Sequence, residues 1–208
     1  MKKRRLKKGP IVLLFLFVFM ILMYSMYDVY TGLKGNKAAE VKTIDEIPTY
    51  GYKIDETASK YVKSLFKELK KILEEKEVDE KQYAELVGKI FLADFYSLDA
   101  AINKNDIGGL QFIYKKSQED FSAKAKDTVY RYVENNIYHN RKQSLPLVTS
   151  VDVKNVEQKA YNKASINDAK AYYMDFEITY KTDMGYPAKA SLVLVHTDKK
   201  LEIVLMAE

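Results

Sequence analysis

Residues 10–27 read PIVLLFLFVFMILMYSMY and carry no charge. Directly before them stand six basic residues, Lys2, Lys3, Arg4, Arg5, Lys7 and Lys8. As a helix rising about 1.5 Å per residue, the run reaches about 27 Å, close to the ~30 Å hydrocarbon core of a bilayer. A helix satisfies its own backbone in hydrocarbon, so it is the spanning form open to such a segment. Tyr24, Tyr27 and Tyr30 cluster at its far end, where amphipathic rings settle at the headgroup level. The basic cluster orients the span: residues 1–9 are expected in the cytoplasm, 10–30 in the membrane, and the rest beyond it.

A cleaved signal peptide is the rival reading. It needs an apolar region of about 7–15 residues and a small-residue exit. Here the exit reads Tyr-Ser-Met-Tyr-Asp-Val-Tyr, which is bulky, so an uncleaved signal anchor is expected. The run holds no ionisable group and no G-x-x-x-G, which suits an anchor better than a conduction path or a packed helix dimer.

Charge has to be divided to be understood. The chain has 34 basic and 29 acidic residues. Six of the basic ones precede residue 10, which leaves 28 against 29 for everything else. The pI of about 9.0 therefore belongs to the tail. A nucleic-acid binder should carry its basic face on the folded part, so no nucleic-acid partner is expected. Zero cysteine excludes disulfides, thiolate zinc sites, iron–sulfur clusters and cysteine nucleophiles. The missing cysteines, with many Lys, Tyr, Ile and Asn, fit an exported protein of a single-membrane bacterium.

Beyond the span, residues 31–53 mix Gly, Lys and Pro without periodicity and read as a tether, in which Ile44, Ile47 and Tyr50 are the residues able to dock. From Ile54 the apolar residues fall at steps of three and four: Ala58, Tyr61, Val62, Leu65, Phe66, Leu69, Ile72 and Leu73 make one helical stripe, with Asp55 as its expected cap. A second helix starts at Asp79, with Gln82 in capping-box spacing and a stripe of Tyr83, Leu86, Val87, Ile90, Phe91, Leu98 and Ile102. A third helical region is expected from Leu110 to Asn136, broken near Ser117, with Phe121, Ala125, Val129, Tyr132, Val133 and Ile137 inward.

After Pro146 the period switches from 3.6 to 2. Strands are expected over 147–161, 172–181, 188–195 and 201–205, with turns at 162–169, 183–185 and 197–199. The expected fold is α+β: an N-terminal transmembrane helix, then three or so helices on one face of a four-stranded antiparallel sheet, with residues 54–208 as an extracytoplasmic domain.

That order resembles the nuclear-transport-factor-like (cystatin-like) α+β cone. It is most similar to the membrane-anchored members that serve as scaffold subunits of type IV secretion and conjugation machines. The resemblance rests on element order over residues 55–208, and Asn105–Tyr114 looks like the link before the last helix of such domains. It implies an assembly role without catalysis and transfers no functional residue.

The residues themselves offer little chemistry. His139 sits in an Asn/Arg/Lys-rich loop and His196 at a strand end beside Thr197-Asp198; two histidines without repeated spacing give no zinc site. Asp94 lies beside the apolar stripe, between Phe91 and Leu98. It is expected to be a helix-edge carboxylate paired with a lysine; the alternative is a carboxylate facing a cone-shaped cavity with a raised pKa. Gly108-Gly109 lacks the Lys-Ser/Thr ending of a phosphate loop and reads as a hinge. Among the 17 tyrosines, Tyr161, Tyr173 and Tyr186 are candidates for a protein interface.

No catalytic residue, metal or cofactor is expected. The expected function is a single-pass membrane-anchored interaction or scaffold module of a cell-envelope assembly, partnered by the bilayer and by envelope proteins or itself. The alternative is an anchored ligand-binding or enzymatic domain with a cavity near Asp94.

Overall fold

A computed structural model describes residues 16–27, 42–163 and 165–207. The chain divides into two compact units, Met1–Ala38 and Ala39–Glu208.

In the first unit, residues 16–27 form helix α1, and its side chains, Tyr24 and Tyr27 among them, are exposed. The basic cluster Lys2–Lys8, residues 10–15 and Tyr30 lie outside the described residues. Among the described residues, no helix is long and apolar enough to cross a membrane.

The second unit is α+β. It opens with a hairpin, β1 (Thr43–Ile47) and β2 (Tyr52–Asp55), within the segment that reads as a tether from sequence. Ile47 is buried as expected, Ile44 points outward, and the most buried residue of the segment is Tyr52. Helix α2 (Lys60–Leu73) follows, capped by Ser59 and not by Asp55, which ends β2; the Ser59 hydroxyl accepts from the Val62 amide at 3.2 Å. Helix α3 (Glu80–Phe95) starts on Asp79, whose carboxylate accepts from the Gln82 amide at 3.0 Å, as the spacing predicts. A chain of turns leads through 3-10 segments at Leu98–Ala100, Leu110–Phe112 and Lys115–Ser117 into helix α4 (Gln118–Asp127).

Helix α4 is much shorter than the expected third helix. Thr128 leaves helical geometry at φ −119°, ψ −92°, and residues 128–147 are irregular. The break changes the phase of the apolar pattern: Tyr130 and Val133 are buried, whereas Tyr132 and Ile137, expected inward, are exposed.

Four antiparallel strands complete the unit in sequential order: β3 (Val148–Lys163), β4 (Ile166–Tyr180), β5 (Lys189–Thr197) and β6 (Lys200–Ala207). The β3–β4 pairing runs to Lys163 opposite Ile166, so the expected loop over 162–169 contracts to a tight turn with Ser165 at φ +65°. β5 and β6 meet at Thr197 and Lys200, with Asp198 at φ +54°, the left-handed geometry that two-residue hairpins use.

Tyr172, Met174, Phe176 and Ile178 of β4 enter one core with α2 and α3, while Asp175 between them and Thr179 just beyond are exposed. Helix α3 contributes Leu86, Val87, Ile90, Phe91, Leu92 and Phe95 to that core, so it is covered well beyond one stripe. Gly88 allows its close seat, because a Cβ there would collide with the Phe176 ring. Edge strand β3 carries three irregularities in register and alternating charges, features that discourage pairing with another edge.

Candidate functional site

The last turn of α3 places Asp94 against the loop that follows. Gly108 and Gly109 pass so close that a Cβ on Gly108 would strike the Asp94 carbonyl oxygen and come within 3.1 Å of its Cγ. Gly109 adopts φ +72°, where glycine carries no steric penalty. Its amide donates to Asp94 Oδ2 at 2.7 Å. The Gly108 amide donates to the Tyr130 hydroxyl at 3.0 Å, and that hydroxyl donates to the Phe95 carbonyl at 2.7 Å. The glycine pair therefore holds an internal carboxylate and a phenol, instead of acting as a free hinge.

Around Asp94 opens a cavity of about 480 Å³, bounded by the β1–β2 hairpin, α2, α3 and the 97–111 loop. Gln111 fastens its rim to the hairpin: the side-chain oxygen accepts from the Lys53 amide at 2.8 Å, and the side-chain nitrogen donates to the Lys53 carbonyl at 2.7 Å. Ile90, Val62 and Phe66 supply apolar wall.

Three carboxylates line this space, Asp55, Asp94 and Asp106. Burial lifts Asp94 to about 6; the Gly109 hydrogen bond opposes that lift, and the charges of Asp106 and Asp55 add to it. Burial likewise raises Asp106, against the pull of the Ile102 amide that donates to its Oδ2 at 2.8 Å. Asp55 accepts from the Thr43 hydroxyl at 3.2 Å. Among the described residues no lysine pairs with Asp94, so of the two roles its position suggests, the geometry gives it the cavity-facing one. No group of His, Cys, Asp or Glu among the described residues converges tightly enough to hold a metal ion.

The other candidates fall elsewhere. His196 bridges two carboxylates: its backbone amide and Nδ1 both lie 2.8 Å from Asp168 Oδ2, and its Nε2 lies 3.6 Å from Glu80 Oε2. Burial would raise Asp168, but the bonds from His196 and the Lys170 amide outweigh it and hold the carboxyl below its usual range. His139 is exposed at φ +53° and lines an open cleft of about 840 Å³ with Tyr61, Asp99 and Asn136.

Tyr161 and Tyr173 meet in a small apolar cluster with Ala171, Val193 and Val195, apart from the main core. Tyr161 is buried there. Tyr173 is half-buried, with Lys159 Nζ 4.3 Å from its ring centroid. Tyr186 stands apart, half-buried against Tyr180. The tyrosines presented to solvent in this unit are instead Tyr132 and Tyr138, at 75% and 84% exposure. Composition of the polar loop around them gave no sign of that.

Sequence reasoning also missed Asp55 and Asp106. Asp55 read as a helix cap and Asp106 fell within the Asn105–Tyr114 link, and no spacing rule ties either to Asp94. Compared with known proteins, the chain matches no family model, no curated protein and no solved structure.

Proposed function

We propose that the second unit is a ligand-binding domain that takes a small molecule into the Asp94 cavity, carried beyond the membrane on the N-terminal anchor. The observation that carries this reading is the cavity itself. Its volume of about 480 Å³ falls within the roughly 300–1,000 Å³ of small-molecule sites. Its walls join apolar side chains to a few convergent polar groups, and one of these, Asp94, has a perturbed proton affinity. We read the site as one for binding; among the described residues no hydrogen bond pairs Asp94 with a hydroxyl or imidazole side chain. The order of helices before a four-stranded sheet agrees with a nuclear-transport-factor-like cone.

Saturation-transfer NMR on the full chain in detergent, against a fragment library, tests the reading. Fragments should bind the natural chain and lose their signal in Thr57→Phe, which fills the cavity from its wall. A library whose hits are indifferent to Thr57→Phe would count decisively against the site.

A second reading, an interaction module of a cell-envelope assembly, is favoured by the exposed Tyr132, Ile137 and Tyr138 on one irregular segment. Membrane crosslinking followed by mass spectrometry tests it: crosslinks should concentrate on residues 131–142 and vanish in the Tyr132→Ser/Tyr138→Ser double variant.

A further inference from the structure

Each of the three carboxylates in the cavity has one oxygen engaged and one to spare. Asp94 Oδ2 holds the Gly109 amide, Asp106 Oδ2 the Ile102 amide, and Asp55 Oδ1 the Thr43 hydroxyl. The second oxygen of each receives no hydrogen bond from the described residues. Those oxygens are not sealed off: the three side chains are half-buried and open on the cavity, and the nearest charges to each are like ones. Asp106 and Asp55 both push against ionisation of Asp94. Among the described residues lining the cavity, the basic one is Lys53, and its ammonium is turned to Glu46 at 4.0 Å, with more than half of the side chain in solvent. The site thus combines a half-open cavity, an apolar wall and three carboxylates toward which no cation among the described residues is turned.

Resting on the ligand-binding reading, we propose that the occupant of this cavity is a small organic cation, its ammonium group seated on Asp94 and its carbon skeleton against Ile90, Val62 and Phe66. A metal ion fits less well, because no three ligating groups among the described residues converge. An anion would meet three like charges, and a neutral molecule would leave the free carboxylate oxygens partly unmatched.

Proton and ligand compete for one carboxylate under this assignment. The groups that face Asp94 are Asp55 from β2, Asp106 and the backbone of Gly108-Gly109 from the loop, and Tyr130 from the segment after α4, with Lys53 at the rim. Asp94 titrates near 6, so at pH 5 about a tenth of it is ionised, and affinity for a cation should fall roughly tenfold from pH 7.5.

The probes are n-butylammonium, butan-1-ol and butyrate, a matched set differing in head-group charge. Each is titrated into the full chain in neutral detergent while the Gly108 and Gly109 amide resonances are followed by NMR. Butylammonium should shift both resonances saturably, at least tenfold more tightly than the alcohol, with butyrate inert. Asp94→Asn should weaken it at least tenfold while melting remains cooperative. If Asp94→Asn does not fold, Asp106→Asn serves instead, with about threefold weakening expected. Equal binding of alcohol and ammonium, insensitive to Asp94→Asn, would leave a ligand cavity but overturn the cation. Preference for butyrate would do the same. Silence from all three probes, joined to fragment hits that ignore Thr57→Phe, would overturn the cavity as a site altogether.

Discussion

A carboxyl group taken out of water has to recover its solvation from the protein, and Asp94 recovers part of it from one amide at 2.7 Å. The remaining deficit is what lifts it to about 6. The consequence for stability has a definite sign. Between about pH 4 and 6 the folded chain holds a proton on Asp94 that the unfolded chain has released, so this group lowers stability as pH rises through that window. Asp94→Asn removes the ionisation and keeps an oxygen for Gly109. It is expected to raise stability at pH 7.5 by roughly 1–3 kcal/mol and to have little effect at pH 4. Denaturant melts at the two pH values check this; an equal effect at both would remove the buried charge as the cause.

Tyr52 and Tyr83 show the opposite case, polar groups buried with every bond made. The Tyr52 hydroxyl donates to the Leu201 carbonyl at 3.1 Å, and the Leu201 amide donates to the Tyr83 hydroxyl at 3.0 Å. The 2.7 Å contact between the two hydroxyls then has Tyr83 as donor. Tyr52→Phe should cost about 1–2 kcal/mol, and the double Phe variant less than the sum of the singles, because each single strands a partner. A calorimetric double-mutant cycle reads the difference.

Elements were legible in the sequence where one physical signal dominated. The β4 alternation from Tyr172 to Tyr180 and the Asp79 cap of α3 were readable because period and cap chemistry are local. The β1–β2 hairpin was not readable. Its strands are short, its turn has no Asn-Gly or Asp-Gly, and what holds it is tertiary: Tyr52 in the core and Gln111 at its flank. The long third helix failed for a related reason. Its stripe continued on paper past Thr128, but the helix ends there, and beyond the break Tyr130 is buried with its hydroxyl on the Phe95 carbonyl. Asp94 was half-legible: a carboxylate beside an apolar stripe was visible, whereas Asp55 and Asp106 reach it through tertiary contacts that no spacing encodes. Where α3 meets the sheet, Gly88→Ala should cost about 1–3 kcal/mol, since the Phe176 ring must move. Thermal melting measures it, and a variant as stable as the natural chain would mean that the α3–β4 seat is slack.

For the molecule as a whole, the proposal of an anchored outer domain yields a prediction independent of the cavity. The full chain should resist alkaline carbonate extraction, and a chain starting at Ala39 should not. Added protease should digest residues 42–207 on wall-stripped cells while sparing cytoplasmic markers. Release of the intact chain by carbonate would remove the anchor.

The clasp between Gln111 and Lys53 engages main-chain atoms at one end and an amide head at the other. Mutational tolerance should therefore be lopsided. Position 53 should accept nearly any side chain except proline, which has no amide hydrogen to give. Position 111 should reject even glutamate, whose two oxygens can only accept and would face the Lys53 carbonyl.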